Sequence, residues 1–226
     1  MKTNELIYNV RERLKLSTED IDISDEYILH LINIERVFFL KQRFSKFSRN
    51  VPEEVKQKIC VSLEEVNDIE NLCDYKVLKS TVKIPSTIEI GGKDSLISIR
   101  NNQITGKHLN IVPIERLPYV GYNKWIKNQI YVALDADNYI YMIKTTDVNF
   151  LKKVVITGIF ANPEEAENLS CDNNNYNNKV CDFYEKEYPV EPYLVSEIIE
   201  MVIKKLSTTL NIPADYLNNS DESSRQ

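Results

Sequence analysis

The sequence predicts an α+β fold: a helical bundle built from the N- and C-terminal segments, with an inserted antiparallel β module. Three observations lead there. Apolar residues recur at helical spacing near both ends, at Leu6, Ile7, Val10 and Leu14 and again at Leu194, Ile198, Ile199, Val202, Ile203 and Leu206. Between them, from about 75 to 160, short β-branched runs alternate with turn residues. With 226 residues, 42% hydrophobic and 27% charged, the chain can bury a core without disulfide or metal staples. The expected division is 1–74 helical, 75–160 a β-rich insertion, and 161–226 a C-terminal helical part completing the helical body and ending in a tail.

The first helix starts at Thr3 as its cap and carries Arg11, Arg13 and Lys15 toward its C-terminal end, where cations suit the helix dipole. A polar connection over 17–24 leads to Ser24, which caps a longer helix with Asp25 and Glu26 in its first turn. Tyr27, Ile28, Leu31, Ile32, Ile34, Phe38 and Phe39 are read as its apolar face. Arg36, Lys41, Arg43 and Lys46 form a polar stripe, either solvated or meeting a partner; Arg36, Lys41 and Arg43 are the candidate inter-subunit charge contacts. Pro52-Glu53-Glu54 signals a third helix with Val55, Ile59 and Leu63 inward.

Strands are expected over 75–84, 87–90, 96–100 and 154–160. The segment 108–117, with Pro113 inside it and Pro118 directly after, reads as extended without being a central strand. Ile130–Leu134 and Tyr139–Ile143 flank Asp135-Ala136-Asp137-Asn138 as a hairpin. Asn162-Pro163-Glu164-Glu165 opens a short helix, and the asparagine-rich stretch 173–178 reads as a surface loop. The polar tail beyond Pro213 reads as mobile.

Charge is uneven. Residues 1–160 hold 23 Lys/Arg and 21 Asp/Glu, a net of +2, whereas 161–226 hold 5 and 13, a net of −8. The overall −6 argues against indiscriminate nucleic-acid binding. The acidic end can meet a basic partner, repel phosphate, or simply aid solubility. Met1–Glu5 runs straight into an amphipathic pattern, so no secretory leader and a cytosolic origin are expected. No apolar run reaches membrane-spanning length.

No chemistry-bearing motif is assembled. Cys60, Cys73, Cys171 and Cys181 include no C-x-x-C pair, and with only His30 and His108 a zinc site is not expected; cytosolic conditions favour free thiols. Asp135-x-Asp137-Asn138 has Ile140 where a calcium loop needs glycine, which favours a hairpin turn. Gly91-Gly92 lacks a following Lys-Ser/Thr, and no G-x-S-x-G occurs. Glu64-Glu65 and Asp182 with Glu185 are the carboxylates a small hydrolase would draw on. The 13 Tyr, 7 Phe and 28 basic residues could build a nucleic-acid platform, but packing accounts for most of the aromatics. No catalytic, metal or cofactor-binding residue is assigned.

Several segments together carry a resemblance: Leu6–Leu16 with Ile23–Ile28, Ile111–Pro118, Thr157–Ala166, Tyr188–Val190, and Ile212–Asn219. The ensemble resembles the head-to-tail ring (adaptor) proteins of crAss-like tailed bacteriophages over nearly the full chain. The resemblance implies a non-enzymatic virion protein, made in the host bacterial cytoplasm and placed in the head–tail neck. It implies a homo-oligomeric ring of twelve copies, docked below the portal protein and against further neck or tail ring proteins. Genomic DNA would pass through the lumen without sequence-specific binding. The C-terminal segment would grip the portal, which points to Ile212, Pro213, Asp215, Tyr216 and Leu217. Other readings are a tail-hub or baseplate protein and, last, a carboxylate-dependent hydrolase.

Overall fold

A computed structural model describes residues 1–15, 23–44, 51–66, 76–90, 93–101, 108–120, 129–144, 151–171 and 183–209. The chain divides into two compact units. One joins Met1–Phe39 to Tyr184–Gln226, and the other is Leu40–Phe183.

The first unit holds α1 (Thr3–Lys15), most of α2 (Asp25–Phe44) and α4 (Leu194–Thr209). The apolar repeats of α1 and α4 largely form the buried faces: Leu6, Ile7, Val10 and Leu14 lie inside, as do Leu194, Ile198, Ile199, Val202 and Leu206, whereas Ile203 is only half-buried. α1 packs against α4. Ser24 caps α2 through Oγ, which accepts from the Tyr27 amide at 3.3 Å. Thr3 does not cap: its hydroxyl turns away to the Lys186 carbonyl at 3.3 Å, and its amide donates to the same oxygen at 3.0 Å. With the Tyr188 amide donating to the Met1 carbonyl at 3.0 Å, the first residues are laced to 186–188.

The second unit corrects the expected fold class. The molecule is not a helical bundle with an inserted β module; its larger unit is a seven-stranded mixed sheet curled into a nearly closed barrel. The strands are β1 (Gln57–Val66), β2 (Lys76–Ser80), β5 (Leu96–Asn101), β6 (Asn110–Ile111), β7 (Tyr131–Leu134), β8 (Ile140–Lys144) and β9 (Lys153–Gly158), in the order β5-β9-β1-β2-β8-β7-β6. A small hairpin of β3 (Glu89–Ile90) and β4 (Lys93–Asp94) stands apart from the seven. The β6–β7 pair is parallel, which makes the sheet mixed rather than antiparallel. Closure comes where the Leu109 amide donates to the Ile99 carbonyl at 2.8 Å, beside a bridge between Arg100 and His108.

The expected third helix is the origin of the error. Pro52-Glu53-Glu54 starts only a single 3-10 turn, Glu53–Val55. The chain then becomes β1, the longest strand, whose first half pairs with β9 and whose second half pairs with β2. Val55, Ile59 and Leu63 fit a helical period. Ile59, Val61 and Leu63 fit a period of two equally well, and β-branched Val61 favours the strand. A strand that hands over from one neighbour to the next gives the stagger that coils a sheet toward a barrel.

The barrel interior is one apolar cluster that includes Ile59, Val61, Leu78, Ile99, Val132, Met142, Val154 and Ile156. A smaller cluster of Val77, Tyr131, Ala133 and Ile143 lies under Leu117, carried by the 3-10 turn Ile114–Tyr119. Asp135–Asn138 is a hairpin turn between β7 and β8, with Asn138 at φ 62°. The short helix α3 (Pro163–Asn168) is capped by Asn162, whose side chain accepts from the Glu164 amide at 3.2 Å.

A further correction concerns the cysteines. Cys60 and Cys171 form a disulfide with Cα atoms 4.8 Å apart. The Cys60 amide donates to the Leu169 carbonyl at 2.8 Å and Ile59 bridges Ser170, so the backbone itself brings the two together across 111 residues of sequence. Cys73 and Cys181 lie outside the described residues.

Candidate assembly interface

The residues of α2 were expected to divide into an apolar inner face and a basic outer stripe, and the structure redraws that division. The buried residues are Ile28, Leu29, Leu31, Ile32, Glu35, Arg36, Leu40 and Phe44. Arg36 sits on the four-residue row 28–32–36–40, so helical geometry carries it inward with its apolar neighbours. It is fully buried, and its Nε donates to the Pro189 carbonyl at 2.7 Å. Its guanidinium carbon lies 5.8 Å from the Tyr188 ring centroid. Burial pulls the Arg36 pKa below its usual value. The Tyr188 hydroxyl donates to Asn33 Oδ1 at 2.7 Å, and burial raises its pKa well above the usual tyrosine value, against the pull of the Arg36 charge. Glu35 is 2% exposed and pairs with Lys205 of α4.

Two charges are thus taken into the interior while apolar side chains of the same helix stay out. Tyr27 is 44% exposed, Ile34 41% and Phe38 53%. Of the three candidate charge contacts, Arg36 is therefore not a surface residue, whereas Lys41 and Arg43 are exposed in the last turn of α2. On α1, Tyr8 is 60% exposed and borders a shallow depression of about 590 Å³, lined also by Met1, Asn4, Glu5 and Asn9. The proposed portal-gripping residues Ile212, Pro213, Asp215, Tyr216 and Leu217 lie outside the described residues, as do Lys46, Gly91-Gly92 and the asparagine-rich stretch.

The other candidates do not converge on a reaction centre. Glu64 and Glu65 are exposed consecutive residues of β1 and so project from opposite faces of the sheet. Asp182 lies outside the described residues, and Glu185 is exposed. No cluster of His, Cys, Asp and Glu suited to a metal occurs among the described residues, and no helix among them is long and apolar enough to cross a membrane. On the barrel, Lys79 Nζ lies 4.1 Å from the Tyr139 ring centroid and 5.4 Å from that of Tyr141. A hydrogen bond with Tyr141 is the main cause raising the Lys79 pKa. Lys83 Nζ lies 5.5 Å from the same Tyr139 ring, and the Asp135 charge also raises the Lys79 pKa.

Comparison with known proteins supplies the family. A family model described as phage tail ring protein 2 matches residues 5–224. "Ring protein 2" of Bacteroides phage crAss001 is 34% identical over 227 residues, covering 98% of this chain and 97% of the relative. With the match running through both units and both termini, this chain belongs to the phage tail ring protein 2 family of crAss-like phages.

Proposed function

We propose that the chain is a structural subunit of the head–tail neck: a homo-oligomeric ring that docks on the portal, extends the DNA channel and joins capsid to tail. The observation that carries this reading is the near full-length match to a ring protein, with 98% of this chain aligned. The surface supports it, because exposed Tyr27, Ile34 and Phe38 on α2 are what a subunit covered by neighbours would carry. In this reading twelve copies close head to tail, as heterologous contacts allow. Lys41 and Arg43 meet acidic groups of an adjacent copy, and the segment holding Ile212, Pro213, Asp215, Tyr216 and Leu217 grips the portal. Further ring proteins of the neck or tail bind the opposite side, and genomic DNA passes through without sequence-specific contacts. The subunit is synthesised in the host cytoplasm, acts in the virion and has no catalytic task.

The test is co-sedimentation of the full-length chain with purified portal assemblies. The account expects saturable binding at a fixed ratio of rings to portals, and at least tenfold weaker binding after deletion of 212–226. Binding unaffected by that deletion removes the C-terminal grip, and no portal binding at all removes the docking role.

A further inference from the structure

The burial pattern of α2 is the unusual feature of the helical unit. A helix normally turns its charges outward and its apolar side chains inward. Here Glu35 and Arg36 are buried, each with a partner inside the chain, while Ile34 and Phe38 stand exposed beside them. Burying charge is costly and exposing Phe and Ile is unfavourable in water, so the isolated subunit accepts both costs on one helix. Tyr27, Ile34 and Phe38 lie at i, i+7 and i+11, one stripe along three turns, about 16 Å long. That spacing is the pattern with which a helix enters an apolar groove.

We propose that this stripe seats in the α1 depression of a second copy of this chain, and that the pair of surfaces is the repeating contact of the ring. The inference rests on the ring reading above. The choice of occupant follows from symmetry. A stripe that met the same stripe on another copy would be isologous and would close at two subunits. A larger ring needs each copy to offer two different surfaces that fit each other. The depression bordered by Tyr8 and Met1 lies on a different helix of the same unit, so the two surfaces are distinct. Asn4, Glu5 and Asn9 would form its polar rim, leaving Met1 and Tyr8 as the apolar surface that the stripe would meet. A stable contact covers roughly 800 Å² per partner, so the stripe is the centre of the interface and not its full extent.

The test uses four preparations of the full-length chain: wild type, an Ile34→Asp/Phe38→Asp variant, a Tyr8→Asp variant and a chain with a photo-crosslinker at position 38. All altered side chains are exposed, so circular dichroism and thermal unfolding of the subunit should be unchanged. Native mass measurement should find rings for the wild type, and each variant should need a more than tenfold higher concentration to assemble. An equimolar mixture of the two variants retains one intact stripe and one intact depression, so it should give heterodimers and nothing larger. A photo-crosslinker at position 38 of the otherwise unaltered chain should link to the α1 peptide containing Tyr8 of another copy, which tests the contact without any destabilising charge. Rings that persist in either variant, a mixture that stays monomeric, or crosslinks only outside α1 overturn this contact and leave the ring reading intact. A wild type that stays monomeric with and without portal overturns the ring reading itself.

Discussion

Arg36 shows how little a residue type reveals without its row on the helix. As an arginine near the basic end of α2 it reads as a surface cation, yet it is fully buried, with its Nε on the Pro189 carbonyl and its guanidinium over Tyr188. The information was present in the four-residue row Ile28, Ile32, Arg36, Leu40, but a partner 153 positions away cannot be read from a single helix. Arg36→Ala removes a buried donor and leaves a cavity; it should cost about 2–4 kcal/mol, measurable as a lowered midpoint in urea unfolding. Tyr188 makes a pH prediction. Its folded-state pKa is raised, so the unfolded chain loses the phenolic proton first, near pH 10. The contribution of Tyr188 is therefore fully present below about pH 10 and is lost as pH rises beyond it. Tyr188→Phe should flatten the decline in stability above pH 10, and an unchanged slope would remove the burial argument.

At the scale of elements, α1 and α4 were legible from one apolar face each, and β7, β8 and β9 as short β-rich runs bounded by turn residues or loops. α1, α4, the β7–β8 hairpin and β9 fall close to where alternation and helical spacing put them. β1 was not legible, because Val55, Ile59 and Leu63 satisfy both periods and a proline–glutamate start signal tipped the reading toward helix. The barrel itself was hidden for the same reason: without β1, the central strand between β9 and β2, the remaining strands read as a separate module. The hairpin turn gives a local test. Asn138 adopts φ 62°, so Asn138→Gly should be tolerated and Asn138→Val should cost about 1–2 kcal/mol in thermal unfolding. The Cys60–Cys171 bond ties β1 to the segment just beyond α3 across 111 positions. Reduction, or Cys60→Ser, should lower the stability of the barrel unit by about 2–5 kcal/mol, read by calorimetry with and without reductant.

At the scale of the whole molecule, the chain lacks an assembled reaction centre among its described residues and carries instead an exposed apolar stripe on α2. Composition and charge narrowed the class, and the family resemblance supplied the assembly. The exposed stripe was not legible, since Ile34 and Phe38 had been counted into the core, and only the inward rotation of Glu35 and Arg36 frees them for a neighbour. As proposed, the chain is a repeating subunit of the neck, and electron cryomicroscopy of intact particles is the decisive experiment. Closed, rotationally repeated density is expected between portal and tail, into which both the barrel unit and the helical unit fit, copy after copy. Density for the chain found only at the distal tail, or present without rotational repetition, would contradict it.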